Sequence, residues 1–82
     1  MSTDNYYIGQ ICLFPYSFVP SGFLLCDGKV LQVSEQQVLY ALLGDRFGGD
    51  AEKTYFQIPN MSPPMDGMAY YICIDGIFPT RD

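Results

Sequence analysis

The sequence has 82 residues, enough for one small domain, and combines 49% hydrophobic residues with only 16% charged residues. It contains no histidine, and its few cationic residues are dispersed over a chain of net charge −5, so the commonest catalytic base is excluded and a nucleic-acid-binding surface is not expected. Because so small and apolar a chain leaves hydrophobic surface uncovered, we expect it to form a homo-oligomer.

The N-terminal part of the chain has a short polar tail at residues 1–5 and then no charged side chain through residue 26. Prolines and glycines interrupt this stretch, so it lacks the run of about 18 apolar residues that a membrane-spanning helix requires. It also lacks the positive charge of a secretory signal, because the first lysine or arginine is Lys29. We therefore expect synthesis in the cytoplasm and no membrane insertion.

Apolar runs bounded by turn residues predict five short strands around one helix. The predicted strands cover residues 8–14, 23–26, 30–33, 54–58 and 69–74. Asp27-Gly28 predicts a tight hairpin turn between the second and third strands, and residues 60–67, which include two consecutive prolines, form a linker to the last strand. This order predicts a single α+β domain over residues 1–82, with a small, mainly antiparallel sheet packed on one short helix.

Residues 34–50 contain the helix and the signals at its two ends. Ser34 precedes apolar residues at helical spacing and Gln37 stands three positions later, which is the pattern of a capping box. We therefore interpret Ser34 as the N-cap of a helix of about nine or ten residues, rather than as a nucleophile. Gly44 follows the last leucine and predicts the end of the helix.

The loop after the helix is rich in glycine and acidic residues. Gly48 and Gly49 allow a sharp turn, and the Asp50 side chain is suited to cap it. No Lys-Ser or Lys-Thr pair follows the glycines, so the loop is not a phosphate-binding loop, and the acidic residues do not match the spacing of a calcium-binding loop. We expect no metal, no cofactor and no enzymatic activity.

The three cysteines, Cys12, Cys26 and Cys73, all lie in apolar runs and none belongs to a C-x-x-C motif. The expected role is that of small buried hydrophobic residues. One disulfide between neighbouring strands is the alternative. Asp27 beside Cys26 would raise the pKa of that thiol and make it less reactive, so we do not expect a catalytic cysteine.

The chain carries four motifs in order. The first two are an opening G-[EQ]-I strand and an aromatic residue followed by C-[DN]-G, and the last two are a helix with L-[FY]-x-L-[LI]-G that leads to [FY]-G-G-[DN], and T-x-F-x-[LV]-P-[DN]-[LM]. These motifs, together with the C-terminal I-x-x-x-G-I-F-P, resemble the phage tail-collar domain family. The motif residues to which the resemblance assigns a structural role are Cys26, Asp27, Gly28, Gly44, Phe47, Gly48, Gly49, Asp50 and Pro59. The long glycine-rich segment that usually follows the last motif is absent, so receptor binding is not implied.

The resemblance implies a tail-collar-like fold and a non-enzymatic structural protein of a virion or phage-derived particle, acting as a multimer. It thus implies a final location in a virion, a phage-tail-like particle or an extracellular assembly. The expected partner is a second copy of the chain, in a homo-oligomer or a fibre-like assembly, and other tail-like or fibre proteins are further candidates. The alternative function is a binding module that recognises a glycan or a partner protein through exposed tyrosines, and the candidates for glycan contacts are Tyr6, Tyr7, Tyr16 and Tyr55.

We expect the chains to join through apolar residues near the two ends of the sequence. The last strand follows the linker at residues 60–67, which is long enough to reach a neighbouring subunit, and it can add to that subunit's sheet. Alternatively, this strand closes its own domain, and the oligomer forms through the N-terminal tyrosines and residues 8–14. The candidate interface residues are Tyr6, Tyr7, Ile8, Tyr70, Tyr71, Ile72, Ile77 and Phe78.

Overall fold

A computed structural model describes residues 5–79 and contains five short strands and one helix in that range. The elements are β1 (Ile11–Phe14), β2 (Phe23–Leu25), β3 (Val30–Gln32), α1 (Gln37–Leu43), β4 (Tyr55–Gln57) and β5 (Ala69–Cys73). All strand pairs between these elements are antiparallel. The α+β class predicted from the sequence is therefore confirmed. Of the predicted polar tail, only Asn5 lies within the described residues.

The larger sheet has the order β1-β5-β2, which places the C-terminal strand at its centre. Cys12 of β1 lies opposite Tyr71, and Leu24 of β2 lies opposite Ile72. Tyr71 is 4% exposed and Ile72 is fully buried, because β5 is paired on both edges and covered on both faces. Both residues are candidate interface residues from the sequence, and in the single chain they belong to the core, with β5 closing its own sheet. Their place at a subunit interface stays a prediction. Tyr70 is half-buried against the same core.

The smaller sheet pairs β3 with β4, with Leu31 opposite Phe56. The strands on either side of Asp27-Gly28 therefore belong to different sheets, and the predicted hairpin is wrong. The turn residues pair instead with the segment after β4, where Asp27 forms a bridge with Asn60 and the Gly28 N–H donates to the Pro59 carbonyl at 3.3 Å. Gly28 does adopt a positive φ, of 80°.

The helix starts later than the capping-box pattern predicts. It spans Gln37–Leu43, its N-cap residue is Gln36, and no side chain caps it. The preceding turn is held by backbone bonds, because the N–H groups of Glu35 and Gln36 both donate to the Gln32 carbonyl at 3.1 Å. The assignment of Ser34 and Gln37 as a capping pair is therefore wrong. Gly44 ends the helix as predicted, with φ 63° and its N–H donating to Tyr40 at 2.7 Å.

Two hydrophobic clusters cover the two faces of β5. Ile72 points into the first cluster, which contains Leu39 of the helix and Phe56 of β4. Tyr71 and Cys73 point into the second, where they pack with Phe23. The helix and the smaller sheet therefore cover one face, and aromatic residues of β1 and β2 cover the other. In the described part of the chain, no helix is long and apolar enough to span a membrane.

Candidate functional site

The thiols are not activated for nucleophilic chemistry. Burial, and next the charge of Asp27, raises the pKa of the Cys26 thiol to about 11. Burial also raises the pKa of Cys12 and of Cys73. Because the thiolate is the reactive form, a raised pKa disfavours catalysis by any of them. All three cysteines are free, Cys26 and Cys73 are buried, and Cys12 is half-buried.

The carboxylate of Asp50 organises the turn that leads into β4. Its Oδ1 accepts the N–H groups of Thr54 at 2.7 Å and Tyr55 at 3.2 Å, and its Oδ2 accepts the Thr54 hydroxyl. The hydrogen bond from the Thr54 hydroxyl is the largest cause of the lowered pKa of Asp50. Asp50 therefore caps the turn, as the sequence predicts. Residues 5–79 contain no group of three or more potential ligand residues placed to hold a metal ion.

Gln57 connects motif segments that are far apart in the sequence. Its backbone N–H donates to the Gly48 carbonyl at 2.9 Å, and its side-chain Nε2 donates to the Gly28 carbonyl at 3.0 Å. A Cβ at Gly48 would overlap the side-chain oxygen of Gln57, and one at Gly49 would lie 2.9 Å from the Cβ of Asp45. Sequence reasoning missed Gln57, because its position between Phe56 and Ile58 reads only as the outward residue of an alternating strand.

The remaining motif residues also hold the chain to itself. The Met61 N–H donates to the Cys26 carbonyl at 3.0 Å, so the turn after β2 is paired with the segment around Pro59, which is buried. Asp27 forms an exposed ion pair with Lys29 at 3.4 Å. Of the motif side chains, Phe47 is the large one that remains exposed, at 43%. These motif residues therefore hold the scaffold of the domain together.

Three of the predicted interface residues form an exposed group, the terminal patch, which comprises Tyr7, Ile77 and Phe78. Tyr7 and Ile77 form a parallel bridge, and the Ile77 N–H donates to the Tyr6 carbonyl at 2.8 Å. The three side chains are 52%, 45% and 51% exposed, respectively. The neighbouring Tyr6 and Ile8 are half-buried and pack inward, Tyr6 edge-on against Phe23 at 5.2 Å.

A second exposed apolar region follows β1, and residue-level sequence reasoning missed it. The rings of Phe14, Tyr16 and Phe18 stack in series, with 5.0 Å between successive centroids. Phe18 is 57% exposed and Val19 is 50% exposed. The signal that indicates this region is the absence of charge from residue 5 to residue 26.

An open cleft of about 700 Å³ lies between the smaller sheet and the turn that precedes the helix. Tyr55, which is 39% exposed, lies on its wall beside the polar side chains of Gln32, Ser34, Gln37 and Lys53. Of the four tyrosines that the sequence suggests for glycan contacts, namely Tyr6, Tyr7, Tyr16 and Tyr55, only Tyr55 lines this cleft.

The sequence profile of the phage tail collar domain matches residues 9–64, which is more than half of the chain. The chain belongs to the phage tail collar domain family. All the motifs from the opening strand to the segment after β4 lie inside the match, whereas β5 and the C-terminal half of the terminal patch follow it. The family indicates a structural role in a phage tail and association with the virion. No curated protein sequence matches this tail collar chain.

Proposed function

We propose that this tail collar chain is a non-enzymatic structural module that works as a homo-oligomer in a phage tail or a phage-derived particle. Other tail or fibre proteins are its further partners. The observation that carries the proposal is the amount of large hydrophobic surface that the folded chain leaves exposed. Family membership supports the structural role, and the exposed surface supports assembly.

Eleven large hydrophobic side chains among residues 5–79 are more than a third exposed. Covering a half-exposed side chain of this kind contributes about 1 kcal/mol, since full burial contributes roughly 1.5–3 kcal/mol. Covering most of them would therefore contribute about 10 kcal/mol, which is comparable to the roughly 4–15 kcal/mol that association costs in lost freedom of motion. A monomer would keep this surface in water, whereas an oligomer can bury it.

The chemistry of the side chains supports a non-enzymatic role. The sequence has no histidine, and each thiol has a raised pKa. The carboxylate with a clearly lowered pKa, Asp50, is engaged in hydrogen bonds that hold its own turn. These groups lack the paired acid and base that proton-transfer catalysis requires.

The test is the mass of the protein in solution, measured by size-exclusion chromatography with light scattering at micromolar concentration. The proposal predicts a mass of at least twice the 9.2 kDa of one chain. A mass of 9.2 kDa at every concentration up to the solubility limit would contradict self-assembly.

The cleft beside Tyr55 favours glycan binding as a second candidate function. An exposed aromatic ring next to amide, hydroxyl and ammonium groups offers both a stacking surface and hydrogen-bonding groups to a sugar. A glycan array probed with the natural protein and with Tyr55→Ala tests this function. Signals that disappear in Tyr55→Ala support it, and the absence of any signal from the natural protein contradicts it.

A further inference from the structure

Strand β1 presents an open hydrogen-bonding edge. It is the outer strand of the order β1-β5-β2. The Cys73 N–H of β5 donates to the Gln10 carbonyl at 2.9 Å, so the carbonyl group of Gln10 points toward β5. Because the direction of these bonds alternates along an antiparallel pair, Cys12 and Phe14 also face β5, and Ile11 and Leu13 direct their N–H and C=O groups away from the sheet.

At the opposite edge of the same sheet, local turns occupy two of the four outward backbone groups of Phe23 and Leu25. There the Phe23 N–H donates to the Pro20 carbonyl at 3.1 Å, and the Leu25 carbonyl accepts the Asp27 N–H at 2.9 Å. No backbone bond of this kind involves the outward groups of Ile11 or Leu13 within residues 5–79. Of the two edges of this sheet, the β1 edge is therefore the one on which all the outward groups of the strand are free to pair with another strand.

Gly9 and Gln10 form a bulge opposite Cys73 just before β1, and Pro15 follows the strand. Between these two features, the four residues of β1 carry no protection of their own against pairing. Proteins usually guard an edge with a charged side chain, a proline within the strand or a bulge. The strand Ile-Cys-Leu-Phe has neither charge nor proline, and no charged residue occurs between residues 5 and 26. None of its four side chains is fully buried. Two chains of net charge −5 repel each other elsewhere, so this uncharged edge is where they can approach with the least repulsion.

We propose that β1 pairs antiparallel with β1 of a second copy, so that the two three-stranded sheets join into one. This inference rests on the self-assembly proposed above, and it names the joint. The pairing is isologous, which means that each strand offers the same groups to the other about a two-fold axis. It satisfies the outward backbone groups of Ile11 and Leu13 in both chains.

The free groups select one register for this pairing. If the axis passed Leu13, Ile11 would face the partner's Pro15, which has no N–H to donate. If the axis passed Ile11, Leu13 would face the partner's Gly9, whose N–H already donates to the Cys73 carbonyl at 2.8 Å. With the axis at Cys12, Ile11 exchanges two hydrogen bonds with the partner's Leu13, and Leu13 exchanges two with the partner's Ile11. This register uses only unpaired groups.

In this register the two Cys12 residues lie opposite each other as a pair without hydrogen bonds between them. The Cα atoms of such a pair are about 4.5 Å apart, which lies inside the range of about 4.4–6.8 Å that a disulfide spans. The Cys12 side chain is half-buried in the single chain and therefore accessible before the edge is covered. The two thiols should thus form an intermolecular disulfide when the dimer is oxidised.

The first test oxidises the purified, oligomeric protein with diamide at mildly alkaline pH. Diamide accepts the two electrons and two protons released when two Cys12 thiols join. We expect a covalent dimer on a non-reducing gel and a Cys12–Cys12 linked peptide by mass spectrometry, a species that only two separate chains can produce. Cys12→Ser should give no covalent dimer. An oligomer that forms no such link on oxidation would overturn the register.

The second test places a charge on the edge. Ile11 is 37% exposed and lies outside both core clusters, so Ile11→Lys should fold normally and raise the dissociation constant at least roughly a hundredfold. The matched control is Gln32→Lys, which places the same charge at an exposed strand position of the other sheet, outside the exposed hydrophobic surface, and should leave the dissociation constant unchanged. Unchanged assembly of Ile11→Lys would overturn the β1 joint while leaving self-assembly intact. A monomeric natural protein would overturn both.

Discussion

The side-chain Nε2 of Gln57 donates a hydrogen bond to the carbonyl of Gly28 at 3.0 Å, across 29 positions of the sequence. The backbone of the same residue bonds to Gly48, so one glutamine joins the turn after β2, the loop after the helix and β4. These are three of the segments that carry the family motifs. The motif residues Gly28 and Gly48 are therefore held by hydrogen bonds within the chain.

Gly48→Ala should lower the free energy of unfolding by more than about 2 kcal/mol. Gly48 has a φ of 133°, and an added Cβ would overlap the Gln57 side-chain oxygen, so both backbone strain and a clash oppose the substitution. Urea unfolding followed by circular dichroism measures the change. The control is Gly67→Ala, which has a φ of 86° but no atom within 4 Å of the new Cβ and should cost about 1 kcal/mol. Equal losses in the two variants would contradict a clash at Gly48.

Gln57→Ala should lower the free energy of unfolding by at least about 1 kcal/mol, because the Gly28 carbonyl loses the hydrogen bond from the Gln57 side chain. It should also remove the clash in Gly48→Ala, so the double variant should lose less stability than the sum of the two single variants. A double-mutant cycle by urea unfolding measures this coupling. Strictly additive losses would show that the two residues do not interact. Gln32→Ala, at an exposed position of the neighbouring strand, is the control and should be nearly neutral.

Asp50 should make the stability of the protein depend on pH in the acid range. Its folded-state pKa is lowered, chiefly by the hydrogen bond from Thr54, so its contribution is fully present above the ordinary value of 3.8 and is lost as the pH falls through the folded-state pKa. The urea midpoint of the natural protein should therefore fall more steeply below about pH 4 than that of Asp50→Asn. Parallel profiles for the natural protein and Asp50→Asn would contradict this role.

Ser34→Ala should change the free energy of unfolding by less than about 0.5 kcal/mol. The capping-box pattern predicts a loss of about 1 kcal/mol, but the N-cap residue is Gln36 and no side-chain bond caps the helix. Thermal and urea unfolding of the single variant decide between these values. A loss of about 1 kcal/mol or more would show that Ser34 caps the helix after all.

The three thiols should be free and should differ in reactivity. Alkylation of the denatured protein without reductant should modify all three cysteines. Under native conditions Cys26 and Cys73 should resist alkylation, because both are buried and their thiol pKa values are raised. Mass spectrometry of the peptides measures the alkylation of each cysteine in the denatured and in the native protein. A denatured, unreduced sample with only one modified cysteine would establish a disulfide.

The type and order of the structural elements could be predicted from the sequence because each is encoded locally. The boundaries of the strands could not be predicted in the same way, because they depend on contacts with distant parts of the chain. The residues just before β1 look like strand, but Ile8 and Gly9 bond to Ile77 and Cys73, whose positions depend on the whole fold. The turn at Asp27-Gly28 failed as a hairpin for the same reason, since pairing with Asn60 replaced pairing between its flanking strands.

The candidate surface could be predicted only in part. The uncharged N-terminal stretch indicated exposed apolar surface, and Tyr7, Phe18 and Val19 within it are exposed. Tyr71 also lies among apolar and aromatic residues in the sequence, but it is buried, because β5 lies between β1 and β2. Burial of this kind is set by strand order, which no local pattern of residues specifies. Gln57 was missed because its role depends on two glycines distant in the sequence.

The most direct test of the central claim, self-assembly through uncharged surface, is sedimentation velocity of the natural protein at low salt and at about 1 M salt, where the screening length falls to about 3 Å. An assembly held by apolar contacts and backbone hydrogen bonds should keep the same mass, a multiple of 9.2 kDa, under both conditions. A single species of 9.2 kDa at all loading concentrations, or an oligomer that dissociates at high salt, would contradict the account.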